Sequence, residues 1–363
     1  MKTTPVHLDF KPISYVIGKE ALAYSHRLVE NYPRIIILVD ENVKHHCLPV
    51  FIETLPSVEI DGVICIKSGE ERKNLEQSVF IWNELTRMNV DRDTLLINLG
   101  GGVVSDIGGF VASTFKRGID FINYPTTLLG MVDAAIGGKT GIDFGNYKNQ
   151  VGLFADPKSV IIDPVFLKTL DELQWQSGFA EVLKYGLIID RELWRSLAGK
   201  NFREIDEWNA IISKAARDKI DIVRHDFLEK GIRKNLNFGH TIGHAFESYF
   251  LKIGTPVTHG QAIAAGMICE SWLSQKLYEF DKEQLHQIIN MFDVNFDRLP
   301  IGEALIPEFF EIMRHDKKVR GGKLNFSLLK RIGKAIHNIE VDTELIADSI
   351  KFYINNRKIT SIG

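Results

Sequence analysis

The first half of the chain repeats one pattern, a short β-branched apolar run followed by a segment of helical periodicity. Ile35-Ile36-Ile37-Leu38-Val39, ending at Asp40, reads as a strand buried on both faces, and residues 63–66 and 95–99 read the same way. Between them, Leu75, Val79, Trp82 and Leu85 recur at helical spacing across residues 75–88. Residues 121–124 form a further short strand, stopped by Pro125. This alternation predicts parallel βαβ units, whose ligands bind outside the carboxyl ends of the strands.

After about Asp163-Pro164 the pattern changes to long helices, expected over 172–189, 205–223, 241–249, 261–277 and 282–291. Residues 323–329 are expected to form a short β-hairpin arm. At 363 residues the chain exceeds what one core usually fills. The expected fold class is therefore α/β plus all-α. Residues 1–164 are expected to make a parallel-sheet α/β domain, and 165–363 a mainly helical one.

Bulk composition narrows the partners. A net charge of -3 gives no reason to expect nucleic acid or an anionic membrane, while anionic small molecules remain open to local cation clusters. Three cysteines, Cys47, Cys65 and Cys269, are too few and scattered for a disulfide framework or a thiolate zinc site. Residues 1–10 lack the basic and apolar parts of a secretory signal, and no run approaches the ~20 apolar residues of a membrane helix. A cytoplasmic location is expected.

Three groups of residues carry chemistry. The strand at 95–99 runs into Gly100-Gly101-Gly102-Val103-Val104-Ser105-Asp106, where glycines let a backbone approach a pyrophosphate and a helix N-terminus supplies amide donors. Ser105 occupies the place of the third glycine of the usual fingerprint. Asp40 and Asn42 are candidates to bond a ribose, and a helix N-cap is an equal reading of Asp40. Glu181 and Lys184 lie three apart in an apolar setting, so a buried pair on one helix face competes with a surface ion pair. His240 and His244 are spaced i, i+4, with His259 further on; spacing alone selects His240, His244 and Glu181 as metal ligands and leaves His259 outside. Lys139, Lys148 and Asn149 sit among glycines able to bend around an anion, with Arg117, Lys219, Arg233 and His315-Asp316-Lys317-Lys318 as further basic candidates.

In order along the chain, these segments resemble the 3-dehydroquinate synthase family. The likeness runs through Ser68-Gly69-Glu70 with Lys73, residues 100–110, Arg117-Gly118, residues 125–129, 133–141, Lys148-Asn149, 181–186, 233–245, His259-Gly260 and Asp316-Lys317-Lys318. The resemblance implies conversion of 3-deoxy-arabino-heptulosonate 7-phosphate to 3-dehydroquinate and phosphate, with NAD and zinc or cobalt, in a homodimer. It implies metal binding by Glu181, His240 and His259, moving His244 from ligand to substrate. NAD is implied at Asp40, Asn42, Glu70, Lys73, Gly101, Gly102, Val103, Asp106, Thr126, Thr127, Lys139, Lys148, Phe166 and Thr169. Catalytic roles are implied for Lys184, His244, Asp133, Asn237 and Arg233. Substrate contacts are implied for Lys139, Asn149, Lys219, Arg233, Asn237, His244 and Lys317, with Arg117 reaching a neighbouring subunit's site. The departures are Ala134-Ala135 for a common Ser-Ser, Tyr147 for a common Gly and Gln261 for a common Glu, and none removes a ligand or a cation.

Three rivals fit less of the sequence. A metal-dependent polyol or alcohol dehydrogenase does not need Lys139, Lys148-Asn149, Arg233 and Lys317 together. A sister cyclase whose substrate lacks a carboxylate has no use for Arg233, and a non-catalytic metal- or nucleotide-binding protein has no use for the whole constellation.

Overall fold

The computed structural model describes residues 5–10, 13–145, 147–278, 280–316 and 323–356. The chain divides into two compact units, Met1–Asp171 with Trp208–Ile220, and Glu172–Glu207 with Asp221–Gly363. The first holds strands β1 (Val6–Phe10), β2 (Ile13–Ile17), β3 (Arg34–Asp40), β4 (Gly62–Ile66), β5 (Thr94–Gly100), β6 (Asp120–Pro125), β7 (Lys139–Phe144), β8 (Tyr147–Phe154) and β9 (Ser159–Ile162).

Seven of these form one sheet in the order β1-β2-β9-β6-β5-β3-β4, parallel except for the β1–β2 pair. All of β5 and the interior of β3 are buried, as the continuous apolar runs require. Register pairs Asp40 with Ile66 and Gly100 with Pro125, so these strand ends line one carboxyl edge. Ile36, Leu38 and Leu96 pack on Ile81 and Leu85 of the helix Leu75–Arg87 and on Val104, Ile107 and Phe110 of the helix Gly102–Thr114.

One buried pair interrupts this apolar layer. Asn98 and Asn123 face each other in register, and Asn98 Nδ2 donates to Asn123 Oδ1 at 2.9 Å. Gly108 crosses directly above: a Cβ there would stand 2.0 Å from Asn98 Oδ1.

The second unit is helical, with Glu172–Ile188, His240–Lys252 and His259–Tyr278 at its centre. The last two meet backbone to backbone, since a Cβ on Gly266 would lie 2.0 Å from Gly239 O and one on Gly243 3.0 Å from Ala262 O. None of the described helices is long and apolar enough to cross a membrane. A parallel-sheet Rossmann-like unit followed by a helical one is thus the architecture, as expected.

Local detail differs from the sequence reading. The helix expected from 205 begins at Trp208, because Asn201 and Glu204 close a capping box around a separate 3-10 turn, Phe202–Glu204. The arm expected at 323–329 is only one strand of a larger hairpin, β10 (Lys323–Arg331) with β11 (Lys334–Asp342). The β7–β8 hairpin was not expected, since the glycines and lysines there gave no alternating pattern.

Replacing Gly108 with Ala should force Asn98 off its buried partner and destabilise the protein by ~1–3 kcal/mol. Urea denaturation measures this; an unchanged midpoint and slope would contradict the contact.

Candidate active site

In the first unit the candidate residues gather at the carboxyl edge of the sheet. β5 ends at Gly100 and the next helix begins at Gly102, capped by Gly101 with no acidic residue in its first turn. Close approach explains the glycines: a Cβ on Gly100 would meet Val104 at 2.4 Å, and one on Gly101 would meet Thr127 Cγ2 at 2.9 Å. Gly102, Val103 and Thr127 remain partly exposed there, so the amide-rich, acid-free helix end fits a pyrophosphate. Thr126 N donates to Gly100 O, and Gly130 N donates to Thr127 Oγ1.

Asp40 ends β3, and its Oδ1 accepts from Val43 N at 2.9 Å, so it caps the helix Glu41–His46. Burial pushes its carboxyl up, against the pull of the Val43 and Asn42 amides. Asn42 is exposed beside it. Phe166 and Thr169 lie on the 3-10 segment Pro164–Thr169 just after β9, with Phe166 buried.

A buried cation organises the next group. Lys73 Nζ lies 3.1 Å from Glu70 Oε1, 3.1 Å from Asp106 Oδ2 and 3.9 Å from Asp143 Oδ1, and donates to Asn149 Oδ1 at 2.8 Å. Burial alone would lower the Lys73 pKa, and the carboxylates of Asp106, Glu70 and Asp143 outweigh it and raise it. Burial pushes Asp106 up to about 6 against the pull of Lys73. Lys148 Nζ reaches the same Glu70 oxygen at 3.6 Å. Asn149 is held at a left-handed φ of 52° by Asp143 Oδ1, which accepts its N–H at 2.7 Å.

Lys139 opens β7 and is exposed. Lys219, buried, donates at 2.7 Å to both the carbonyl and Oδ1 of Asp133. Arg117 stands apart, at the far end of the helix Gly102–Thr114, roughly 20 Å along its axis from the glycine turn. There it occupies a strained turn in which Lys116, Arg117 and Gly118 all have positive φ (48°, 70° and 115°).

In the second unit, Glu181 and Lys184 are buried (0% and 1% exposed) and ion-paired through Glu181 Oε2. The helix that carries them is buried on every face from Gln176 to Ile188, which excludes the surface-pair reading. Glu181 Oε1 lies 3.3 Å from His259 Nε2 and 3.6 Å from His240 Nε2. Ligand atoms of these three residues fall within 4.8 Å of one another.

Each imidazole is steered from its other nitrogen. His240 Nδ1 is 3.0 Å from Phe238 O, and His259 Nδ1 is 3.6 Å from Glu247 Oε2. Two Nε2 atoms, each imidazole backed by an acceptor, and one oxygen of a carboxylate held from its other side by Lys184 make a donor set that fits zinc or cobalt. Burial and the Lys184 cation hold His240 well below its ordinary pKa. Burial acts the same way on His259, yet contacts with Glu181 and Glu247 overcome it and raise that imidazole to about 9. His244 lies alongside, its ring centroid 5.1 Å from His240 and 6.0 Å from His259.

Arg233 and Asn237 come from the 3-10 segment Ile232–Asn237, which the β10–β11 hairpin holds: Ser327 Oγ donates to Lys234 O, and His337 Nδ1 lies 2.9 Å from Asn235 Oδ1. Asp226 gathers the preceding loop by accepting the amides of Lys230, Gly231 and Arg233. Buried Arg233 donates from Nη1 to Phe227 O at 2.5 Å. Asn237 Nδ2 donates to Glu229 Oε1 at 2.8 Å, and Glu229 has a left-handed φ of 56°. Lys317 lies outside the described residues.

Asp143, Glu229 and Glu247 were not singled out from sequence. Only Glu247 had a local signal, as an acid three residues after His244 and seven after His240 on one helix stripe.

Residues 63–177 match the N-terminal 3-dehydroquinate synthase domain, and residues 178–319 match its C-terminal domain. A 3-dehydroquinate synthase from Parabacteroides distasonis is 43% identical over 325 residues, covering 89% of this chain and 92% of that protein. Among solved structures, 2-epi-5-epi-valiolone synthase from Streptomyces hygroscopicus subsp. jinggangensis 5008, with NAD+ and Zn2+ bound, aligns with a TM-score of 0.83 at 23% identity, over 96% of this chain and 99% of that one. A 2-deoxy-scyllo-inosose synthase complexed with carbaglucose-6-phosphate, NAD+ and Co2+ aligns with a TM-score of 0.81 at 22% identity, over the same shares. At such identities these structures speak for the fold, and the sequence relatives for the family. The chain belongs to the 3-dehydroquinate synthase family.

Proposed function

We propose that the protein converts 3-deoxy-arabino-heptulosonate 7-phosphate to 3-dehydroquinate and inorganic phosphate, a step of aromatic amino acid biosynthesis. The observation that carries this reading is the family match of both domains across residues 63–319. The reaction oxidises C5, loses the C6 proton and phosphate, re-reduces C5, opens the ring and closes a carbocycle by an intramolecular aldol step. The bound groups supply a hydride acceptor regenerated in each turnover (NAD) and a Lewis acid for vicinal hydroxyls (zinc or cobalt).

The remaining work belongs to side chains. Glu181, His240 and His259 hold the metal. Lys184 keeps its proton on Nζ against Glu181 Oε2 and presents a buried positive charge to the reacting hydroxyls. Arg233 and Lys139 take the substrate carboxylate, the guanidinium supplying a planar fork. His244, Asn237 and a lysine of the Lys317-Lys318 pair take the phosphate. Asp133, Lys219 and Asn149 orient the carbon chain. Gly101, Gly102 and Val103 receive the NAD pyrophosphate, and Asp40 and Asn42 a ribose. Glu70, Lys73, Asp106, Thr126, Thr127, Lys139, Lys148, Phe166 and Thr169 line the rest of the nucleotide.

We further propose a cytoplasmic homodimer. Free thiols at Cys47, Cys65 and Cys269 suit a reducing compartment. Phe144, Val151 and Phe154 of the β7–β8 hairpin are 55%, 40% and 42% exposed, an apolar surface that a second copy would cover. The strained Arg117 turn, remote from its own glycine turn, suits a residue that serves a partner's site. Sedimentation should give a species of about twice the 41.2 kDa chain mass, reduced to one by Phe154→Asp; a monomeric wild type would refute this.

Purified protein supplied with NAD+ and Zn2+ should release phosphate from the heptulosonate phosphate with no net NADH. Net NADH formed from a simple polyol would favour the dehydrogenase reading instead.

His259→Ala should lose bound metal while His244→Ala retains it, and full metal in the His259 variant would refute the ligand set. The raised His259 pKa adds a sign. Its Nε2 proton must leave before metal binds, so Zn2+ affinity of the metal-free protein should rise as pH climbs from 6.5 towards about 9. Competition with a chelating dye at each pH measures it.

A further inference from the structure

We infer that Glu270 is a positioning residue of the metal centre, fixing the backbone that aims His240 at the point it shares with His259. The inference rests on the reading of Glu181, His240 and His259 as metal ligands.

Glu270 is fully buried on the helix His259–Tyr278, about three turns beyond His259. Its carboxylate crosses to the N-terminus of the other ligand-bearing helix, His240–Lys252. Oε2 accepts from Gly239 N at 2.6 Å, and Oε1 accepts from Thr241 N at 3.1 Å and Ile242 N at 3.3 Å. These are amides that a helix start leaves without intrahelical partners. Gly239, the cap residue, has no side chain to bond them, so the neighbouring helix supplies the acceptor. A carboxylate suits that place by charge as well as by geometry.

The bonded amides flank His240 on both sides in the chain. His240 also orients its ring by Nδ1 against Phe238 O, the carbonyl of the peptide whose N–H Glu270 accepts. Ring direction and helix end are therefore referred to one anchored peptide. The surroundings leave little room for another arrangement: a Cβ on Gly239 would stand 2.3 Å from Met267 Cγ, and one on Gly266 2.0 Å from Gly239 O. One rigid helix thus carries His259 at its first residue and, through Glu270, sets the position of His240.

The test uses the full-length protein and reads Zn2+ affinity by chelator competition, the visible spectrum of the Co2+ form, and thermal stability. Glu270→Gln keeps the volume but replaces one acceptor oxygen with a donor. It should weaken Zn2+ binding by roughly 10–100-fold and alter the Co2+ bands, with NAD+ affinity unchanged. Glu270→Asp, which keeps the charge with shorter reach, should lose less. Asn295→Ala removes a buried cap on Phe202 N elsewhere in the same unit and should lower stability without moving either metal readout.

A folded Glu270→Gln protein with wild-type Zn2+ affinity and Co2+ spectrum overturns the inference. Should that variant not fold, the same two readouts on Glu270→Asp decide. His240→Ala separates the two levels: metal retained there sinks the ligand reading itself. Metal lost there, with wild-type behaviour at Glu270→Gln, sinks the role of Glu270 alone.

Discussion

Burial of the Glu181 carboxylate is the constraint around which the helical unit is arranged. A carboxylate at 0% exposure is tolerated only when cations and donors meet it. One oxygen is committed to Lys184 a turn away, and the other faces His240 and His259. The imidazoles must therefore arrive from elsewhere in the sequence, which sets where their two helices begin. The glycines at 239, 243 and 266 suit that need, since backbones without side chains let the start of the His240 helix lie directly against the body of the His259 helix.

The sheet unit solves the same problem with the sign reversed. Lys73 is the buried ion, and Glu70, Asp106 and Asp143 are brought to it from three separate segments. The carboxylates do more than neutralise. Asp143 bends Asn149 into a left-handed conformation, and Glu70 also draws in Lys148. Loss of Lys73 would leave the partly buried Asp106 carboxylate without its nearest cation, a cost that exposed ion pairs do not carry.

Legibility in the sequence followed the range of the interactions. The parallel strands were readable because burial on both faces writes itself as continuous apolar runs, as in β3 and β5. The Glu181–Lys184 pair was readable as two charges with no polar face around them. The β7–β8 hairpin was not, because its glycines answer to close backbone approach: a Cβ on Gly152 would stand 2.4 Å from Thr140 O. Asp143, Glu229 and Glu270 act on backbone amides or side chains brought near by the fold, and no periodicity marks them. The resemblance to a family carried the residue roles that spacing could not.

The histidines show why spacing ran short. An i, i+4 pair on a helix places two rings side by side, and His240 and His244 are indeed neighbours at 5.1 Å. Neighbouring rings need not share a focus. A ligand atom must point at one spot, and the spot here is defined by Glu181 Oε1, toward which His240 and His259 turn Nε2. His259 opens its own helix, and its Nδ1 faces Glu247, a carboxylate on the His240 helix. The helix that carries the first imidazole thus also carries the acceptor that orients the second. Convergence of this kind is a property of two crossing helices, and a periodicity read along either one alone cannot contain it.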